Sequence, residues 1–342
     1  MRICIPIADA PQGGMYSFYR NLRAYLQARG MAVTDDPAGE CDLLMANSWS
    51  IDHRLVARVK RRRPGTTILH RVDGSATEYG REGAADVRQA LVNLLADATV
   101  FQSSYGRAAT RGRGIIGQDG PVIHNPVDIE RFRPDGDRLA LPGRVRLAHV
   151  AFSTNARKGS AGVYELARRR PDVSFVMVGC YEGAPRLDNL TQLGYVEWDR
   201  LPTVLRSCHA LLTLSENETC SNVVLEALAS GLPVLYRASG GTPELVADCG
   251  AAVPPGSFDR ALAWVMDGRP ALAERARQRA VERFSFDVVF PRYLATAAGA
   301  SRRPLPGTAE YVRTFLRLRP SPDTVARWIA GRARRLRSAR AG

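Results

Sequence analysis

Short apolar runs recur along the chain, and between most of them apolar residues fall three or four positions apart. The runs "RICIPI" (2–7), "CDLLMAN" (41–47), "TTILHRV" (66–72) and "PVIHNP" (121–126) have the length and β-branched content of buried strands. Residues 15–30, 52–63 and 86–97 carry helical spacing, the first stretch ending on Gly30. Pro134, Gly136, Pro142 and Gly143 then interrupt the pattern. It restarts with "VRLAHVAF" (145–152), "SFVMVG" (174–179), "ALLTLS" (210–215), "LPVLY" (232–236) and "AAVPPG" (251–256). Strands alternating with helices predict parallel sheets covered on both faces. The fold class is therefore α/β, with two doubly wound domains (1–136 and 137–285) facing each other across a cleft.

Composition agrees. A chain of 342 residues exceeds what one core usually serves. Its 45% hydrophobic and 7% aromatic content suits a soluble α/β enzyme. The six cysteines (4, 41, 180, 208, 220, 249) form no CxxC pair and no zinc-like spacing, which points to a reduced cytosolic setting. A proline and two glycines interrupt the first residues before a signal-peptide core can form, and no run of about 18 apolar residues occurs. The expected localisation is cytoplasmic. Charge is uneven: residues 301–342 hold eleven arginines against Glu310 and Asp323, and so carry +9 of the net +14. The basic balance belongs to the tail and says little about nucleic acid binding by the body. Only Lys60 and Lys158 are lysines.

In open parallel sheets, ligands bind beyond the carboxyl ends of the strands. That singles out 8–14, 70–75, 153–159 and 215–221. In "SENETCSNVVLEALASGLPVLY" (215–236), Ser221 or Thr219 can cap a helix running from about Asn222 to Ser230, closed by Gly231 and Pro233. Glu218 sits in the loop before it and Glu226 one turn inside. Because Asn222, Glu226 and Ser230 are spaced i, i+4, i+8, they also fit a plain solvated stripe. Against that stands the next loop, "ASGGTPEL" (238–245), a second flexible turn with exposed amides. Two amide-rich loops on one cleft suit a diphosphate, with carboxylates left to hydrogen-bond sugar hydroxyls.

These residues resemble the carboxyl-terminal signature of glycosyltransferase family 4, the retaining nucleotide-sugar enzymes of the GT-B fold. The E-x7-E pair matches Glu218 and Glu226. The resemblance implies that Glu218 contacts the donor sugar and acts in catalysis, that Glu226 with Asn222 grips the nucleoside side of the donor, and that Gly240, Gly241 and Thr242 lie against the diphosphate. "PQGGMYSFYRNL" is similar to the family's first glycine-rich loop, where Gly13 and Gly14 admit the donor. "AFSTNARKGSAG" matches the family's K-G, placing Lys158 at the leaving diphosphate, where a cation stabilises developing negative charge. The arginine the family has five residues earlier is Ser153 here, and Arg157 is the nearest substitute. "ILHRVDGS" resembles the segment that brings a histidine, His70, to the donor sugar, with Arg71 and Asp73 on the acceptor side. His70 also fits a structural hydrogen bond, and Asp73 an Asx turn before Gly74. "VIHNPVDIERFRP" is similar to the family's interdomain segment. "FSFDVVFPRYLATAAG" resembles its terminal helix, assigning 286–300 to a crossover back to the first domain. No metal site is expected: Asp135 and Asp137 form a literal D-x-D, but in the linker.

In the tail, 301–342, Tyr311, Phe315 and Leu318 share one helical face. A second helix capped by Ser321 and Pro322 carries Val325, Trp328, Ile329 and Leu336, with arginines opposite. Such helices either dock on the protein or meet an anionic membrane surface, which would place the protein on the inner face of the cell membrane. Nucleic acid is the weakest fit, since no base-reading motif accompanies the charge.

The expected function is retaining transfer of a sugar from a nucleoside-diphosphate donor to a hydroxyl acceptor, without a cofactor or metal. Acceptors that fit are a lipid-linked or cell-envelope glycan, or a soluble secondary metabolite. The competing functions are a nucleotide-sugar epimerase and a non-catalytic sugar-nucleotide scaffold.

Overall fold

The computed structural model describes residues 1–7, 13–179 and 183–318. The first sheet is built from β1 (Arg2–Cys4), β2 (Ala32–Thr34), β3 (Leu43–Asn47), β4 (Thr67–Val72) and β5 (Ala98–Phe101), in the order β2-β1-β3-β4-β5. The second contains β6 (Arg146–Ala151), β7 (Ser174–Gly179), β8 (Leu190–Gln192), β9 (Ala210–Thr213), β10 (Val234–Tyr236) and β11 (Gly250–Ala252), ordered β11-β10-β9-β6-β7-β8. Every pairing is parallel. Both sheets are doubly wound, and strand order reverses between β1 and β3 and between β6 and β9. The crevices at those reversals are where such sheets bind ligands.

The expected strand at 121–126 does not form. Prolines bracket it, and only a bridge between Phe101 and Val122 remains. The real edge strand is β5, four residues long with no turn signal before it. β2 and β8, three residues each, lie below the length at which alternation is readable.

The helix Gly14–Gln27 turns Phe18, Tyr19, Leu22 and Leu26 onto the first sheet, where they meet Ile3, Ile5, Leu43 and Met45. The chain crosses to the second domain and returns. Val127 N donates to Phe284 O at 2.7 Å, and Val127 and Ser285 form a parallel bridge, so the two crossings run side by side. The helix Phe286–Ala298 then packs Val289, Phe290 and Tyr293 into the first domain's core, Phe290 lying 5.8 Å from Phe18 and 4.9 Å from Tyr25 between ring centroids.

Beyond it, the helix Thr308–Arg317 puts Phe315 against Val87 and Leu91 of the helix Ala84–Leu95, with Tyr311 and Leu318 beside them. Arg303 N donates to Asp97 Oδ1 at 2.8 Å, tying down the approach. The first apolar face of the tail is therefore docked on the protein and not open to lipid. The expected second tail helix lies outside the described residues, as does most of the first glycine-rich loop. No helix among the described residues is long and apolar enough to cross a membrane.

Because Phe290 is fully buried at the seam between the returning helix and the first domain, Phe290→Ala should lower the unfolding free energy by about 3–5 kcal/mol, read as a reduced urea midpoint.

Candidate active site

The two strand-order reversals face each other across a cavity of about 560 Å³ between the domains. On the second domain's side, the Asn155 side chain accepts from Arg157 N at 2.9 Å and starts the short 3-10 turn Ala156–Lys158. Gly159 closes it at φ +78°, where a Cβ would stand 2.5 Å from the Leu214 carbonyl oxygen, so only glycine lets this turn close on the end of β9. Glu216 N donates to Arg157 O at 2.7 Å and joins the loops after β6 and β9. As a result Lys158 Nζ meets Glu218 Oε1 at 2.7 Å, with side chains only 19% and 17% exposed. Burial alone would depress the Lys158 ammonium. Glu218 and Tyr79 outweigh it and hold the group above the ordinary lysine range.

The helix Asn222–Ala229 follows. Glu226 and Ser230 are buried, which rules out the solvated stripe. Glu226 lines the cavity beside Trp198 and Arg20. Asn222 also lines it, approaching the Gly14 carbonyl at 3.5 Å with Nδ2. Ser221 precedes this helix without a side-chain capping bond.

The first domain supplies the opposite wall. Gly13 (φ +110°) and Gly14 open the helix Gly14–Gln27 directly against the cavity. Arg71 donates to Asn47 Oδ1 at 2.7 Å, to Asp73 Oδ1 at 2.5 Å and to Asn125 Oδ1 at 2.7 Å. Asp73 also accepts from Asn47 Nδ2 at 3.0 Å and from Gln102 Nε2, so it is a network member and not an isolated Asx turn.

Three of the expected groups do not stand on the cavity wall. His70 is fully buried on the face of β4 opposite Arg71. Its Nε2 lies 3.3 Å from Ser48 O and its Nδ1 3.2 Å from Asn93 Nδ2, and burial pushes its pKa down to about 4. Strand alternation sends Arg71 to the cavity and His70 away from it. Arg157 does not line the cavity. It packs over Gly80 and lies 3.7 Å from Glu216, so it does not stand on the cavity wall with Lys158. Gly240, Gly241 and Thr242 stand behind the site: Gly241 N donates to Glu218 O at 2.9 Å, and a Cβ there would be 2.0 Å from Thr219 O. The turn supports the Glu218 loop and does not form cavity wall. Asp135 and Asp137 lie in the linker, and no group of His, Cys, Asp and Glu suited to a metal occurs among the described residues.

Residues 161–267 match the family model described as glycosyl transferases group 1. Over those residues the chain is similar to group 1 glycosyltransferases. Over 209 residues it is 29% identical to the D-inositol 3-phosphate glycosyltransferase of Mycolicibacterium vanbaalenii, covering 51% of this chain and 46% of that protein. Over 185 residues it is 32% identical to the GDP-mannose-dependent alpha-(1-6)-phosphatidylinositol monomannoside mannosyltransferase of Mycolicibacterium smegmatis, covering 45% and 47%. The chain thus spans about half the length of these curated relatives. The structure of Anabaena HepE in complex with UDP-glucose superposes with a TM-score of 0.68 at 18% identity, covering 87% of this chain and 99% of that one. The fold is GT-B.

Arg20, Trp198, Tyr79 and Arg81 also stand on the cavity wall, although no sequence motif marks them as site residues. Arg20 interrupts the apolar spacing of the first helix one turn beyond Gly14–Ser17, a usable signal. Trp198 and Tyr79 lie in turns with no periodicity to mark them.

Burial pushes the Glu226 carboxyl up to about 7, against the opposing pull of Trp198 and Arg20. The folded state therefore holds a proton that the unfolded chain releases near pH 4.5, and stability falls as pH rises from about 4.5 to 7. Glu226→Gln, which cannot ionise, should escape this loss. Denaturation at pH 5 and pH 8 should show the variant gaining on the parent by up to about 3 kcal/mol at the higher pH.

Proposed function

We propose that the protein transfers a glycosyl unit from a nucleoside-diphosphate sugar to a hydroxyl acceptor, with retention at the anomeric carbon. The observation that carries this reading is the Lys158–Glu218 contact at the crevice of the second sheet, facing the first domain's wall across the cavity. An ammonium and a carboxylate that neutralise each other at rest become, once a donor enters, a cation for the diphosphate and an acceptor of hydrogen bonds from sugar hydroxyls. Glu226, deeper and beside Trp198, takes the ribose hydroxyls. The bond from the anomeric carbon to the β-phosphate oxygen breaks, and the acceptor oxygen bonds the same carbon on the same face. Its proton passes to the departing phosphate oxygen. Lys158 stabilises the charge building there, so the step needs no protein nucleophile.

The relatives named above support a polyol acceptor, and a lipid-linked or cell-envelope glycan extends that class. Contact with an anionic membrane surface rests on residues 319–342, beyond those described. A soluble secondary metabolite is the second reading, favoured by the docking of the helix Thr308–Arg317 on the first domain.

The test is nucleoside diphosphate release from a panel of UDP- and GDP-sugars with lipid and cytosolic extracts as acceptors. Glu218→Ala and Lys158→Ala should each lower the rate about 10²- to 10³-fold. Unchanged release in both variants overturns the assignment. Because Lys158 takes the leaving-group role, chelation with EDTA should leave the parent rate unaltered.

A further inference from the structure

One half-buried cation on the cavity wall has no acceptor for its protons. Arg20, in the helix Gly14–Gln27, lines the cavity, and its side chain makes no hydrogen bond or ion pair among the described residues. Its Nε is sealed from solvent and unmatched. The other cations on the wall are provided for. Lys158 faces Glu218, and Arg81 is exposed to water. Arg71 also leaves its Nε unmatched, but its remaining nitrogens donate to Asn47, Asp73 and Asn125. A desolvated N–H without a partner costs free energy and calls for a reason.

What holds Arg20 belongs to the second domain. Its guanidinium lies 4.4 Å from the Trp198 ring centroid, and that of Arg131, from the interdomain crossing, lies 3.8 Å from the same ring. Arg131 is paired with Asp199 and, at 3.7 Å, with Asp128. Arg20 is held by stacking alone, which fixes a guanidinium and leaves its N–H groups to be used. Trp198 Nε1 is a second sealed donor without a completed hydrogen bond, although it lies close to Glu226. Burial raises the Glu226 carboxyl while Trp198 and Arg20 pull it down, so the three groups share one corner of the cavity. Two donors and one carboxyl, drawn from both domains, meet there with hydrogen bonds unmade.

We propose that Arg20 is a donor-binding and specificity-determining residue supplied by the first domain: it donates to a hydroxyl oxygen of the donor's ribose, so that one nucleoside is held by both domains at once. This rests on the glycosyl-transfer reading, in which Glu226 takes the ribose hydroxyls and Lys158 the diphosphate. A vicinal diol suits the corner, because each hydroxyl offers a proton to the carboxyl and lone pairs to the N–H donors. A site built this way rejects the analogue that lacks the matching hydroxyl, since the buried donors are then left unpaired.

Calorimetry on the full chain with UDP, GDP and the 2′-deoxy and 3′-deoxy forms of each tests this. The parent should bind at least one ribonucleotide about 10- to 100-fold more tightly than one of its deoxy forms. Arg20→Met, which keeps a stem over Trp198 without the guanidinium, should weaken the ribonucleotide, leave that deoxy form nearly unchanged, and so shrink the margin about 10-fold. Arg20→Lys, which keeps the charge and loses the planar fork, should fall between. If the urea midpoint shows that Arg20→Met does not fold, the same comparison is read in Arg20→Lys. Equal weakening of the ribonucleotide and its deoxy forms would mean that Arg20 acts only through domain packing, and overturns the inference. So does a parent without a margin, or a margin that Arg20→Met leaves intact. Failure of both UDP and GDP to bind the parent is a separate result: it would remove the glycosyl-transfer reading and this inference with it.

Discussion

A guanidinium buried at the junction of two domains sets the positions of the groups around it. Arg71 is 1% exposed and lies 4.0 Å from the Phe18 ring centroid. Removing one partner from such a charge costs about 3–5 kcal/mol, so every group that satisfies it is held in register. Those groups come from the end of β3 (Asn47), the loop after β4 (Asp73) and the interdomain crossing (Asn125). Asn125 extends the network into the second domain, donating through Nδ2 to Asn222 Oδ1 at 2.8 Å and to Cys220 O at 3.2 Å. The first domain's wall and the helix bearing Glu226 are thereby referred to one charge, even though their sheets share no strand.

The doubly wound architecture was legible because strands buried on both faces read as continuous apolar runs, and because Gly and Pro punctuate the linker. The loop bearing Glu218 was legible for a different reason: spacing alone left Glu218 and Glu226 open to a plain solvated stripe, and the resemblance of the whole segment to a family signature singled them out. His70, Arg157 and the Gly240–Thr242 turn show where such reading stops. His70 and Arg157 each adjoin a group that does face the cavity, Arg71 and Lys158, and proximity along the chain does not say which way a side chain turns. Strand alternation separates His70 from Arg71. The Gly80 and Glu216 surroundings draw Arg157 away from Lys158, and the crowding behind Thr219 puts the glycine turn in a supporting position. Arg20 and Trp198 escaped because their importance comes from one domain meeting the other, which no local pattern records.

That meeting is polar. Glu244, just past the glycine turn, accepts from Ser104 N at 3.0 Å and Tyr105 N at 3.2 Å, and so caps a helix of the opposite domain, with His124 Nε2 3.3 Å away. Asn155 and Asn217 grip the Glu78 and Tyr79 carbonyls, and Asn125 holds the Cys220 backbone. Hydrogen bonds of this kind are worth about 0.5–1.5 kcal/mol each, because water replaces them when they part. A handful therefore holds the cleft shut without making opening prohibitive, whereas an apolar seam of similar extent would resist separation more strongly. The same logic governs the Lys158–Glu218 pair. Neutralised against each other, the two charges can be buried in the cleft, and under the proposed function a diphosphate that displaces Glu218 from Lys158 would free the carboxylate for sugar hydroxyls. The interdomain hydrogen bonds and the Lys158–Glu218 pair are thus separate sets of polar contacts on one cleft, linked through Asn155 and Asn217, which sit in the same loops as Lys158 and Glu218.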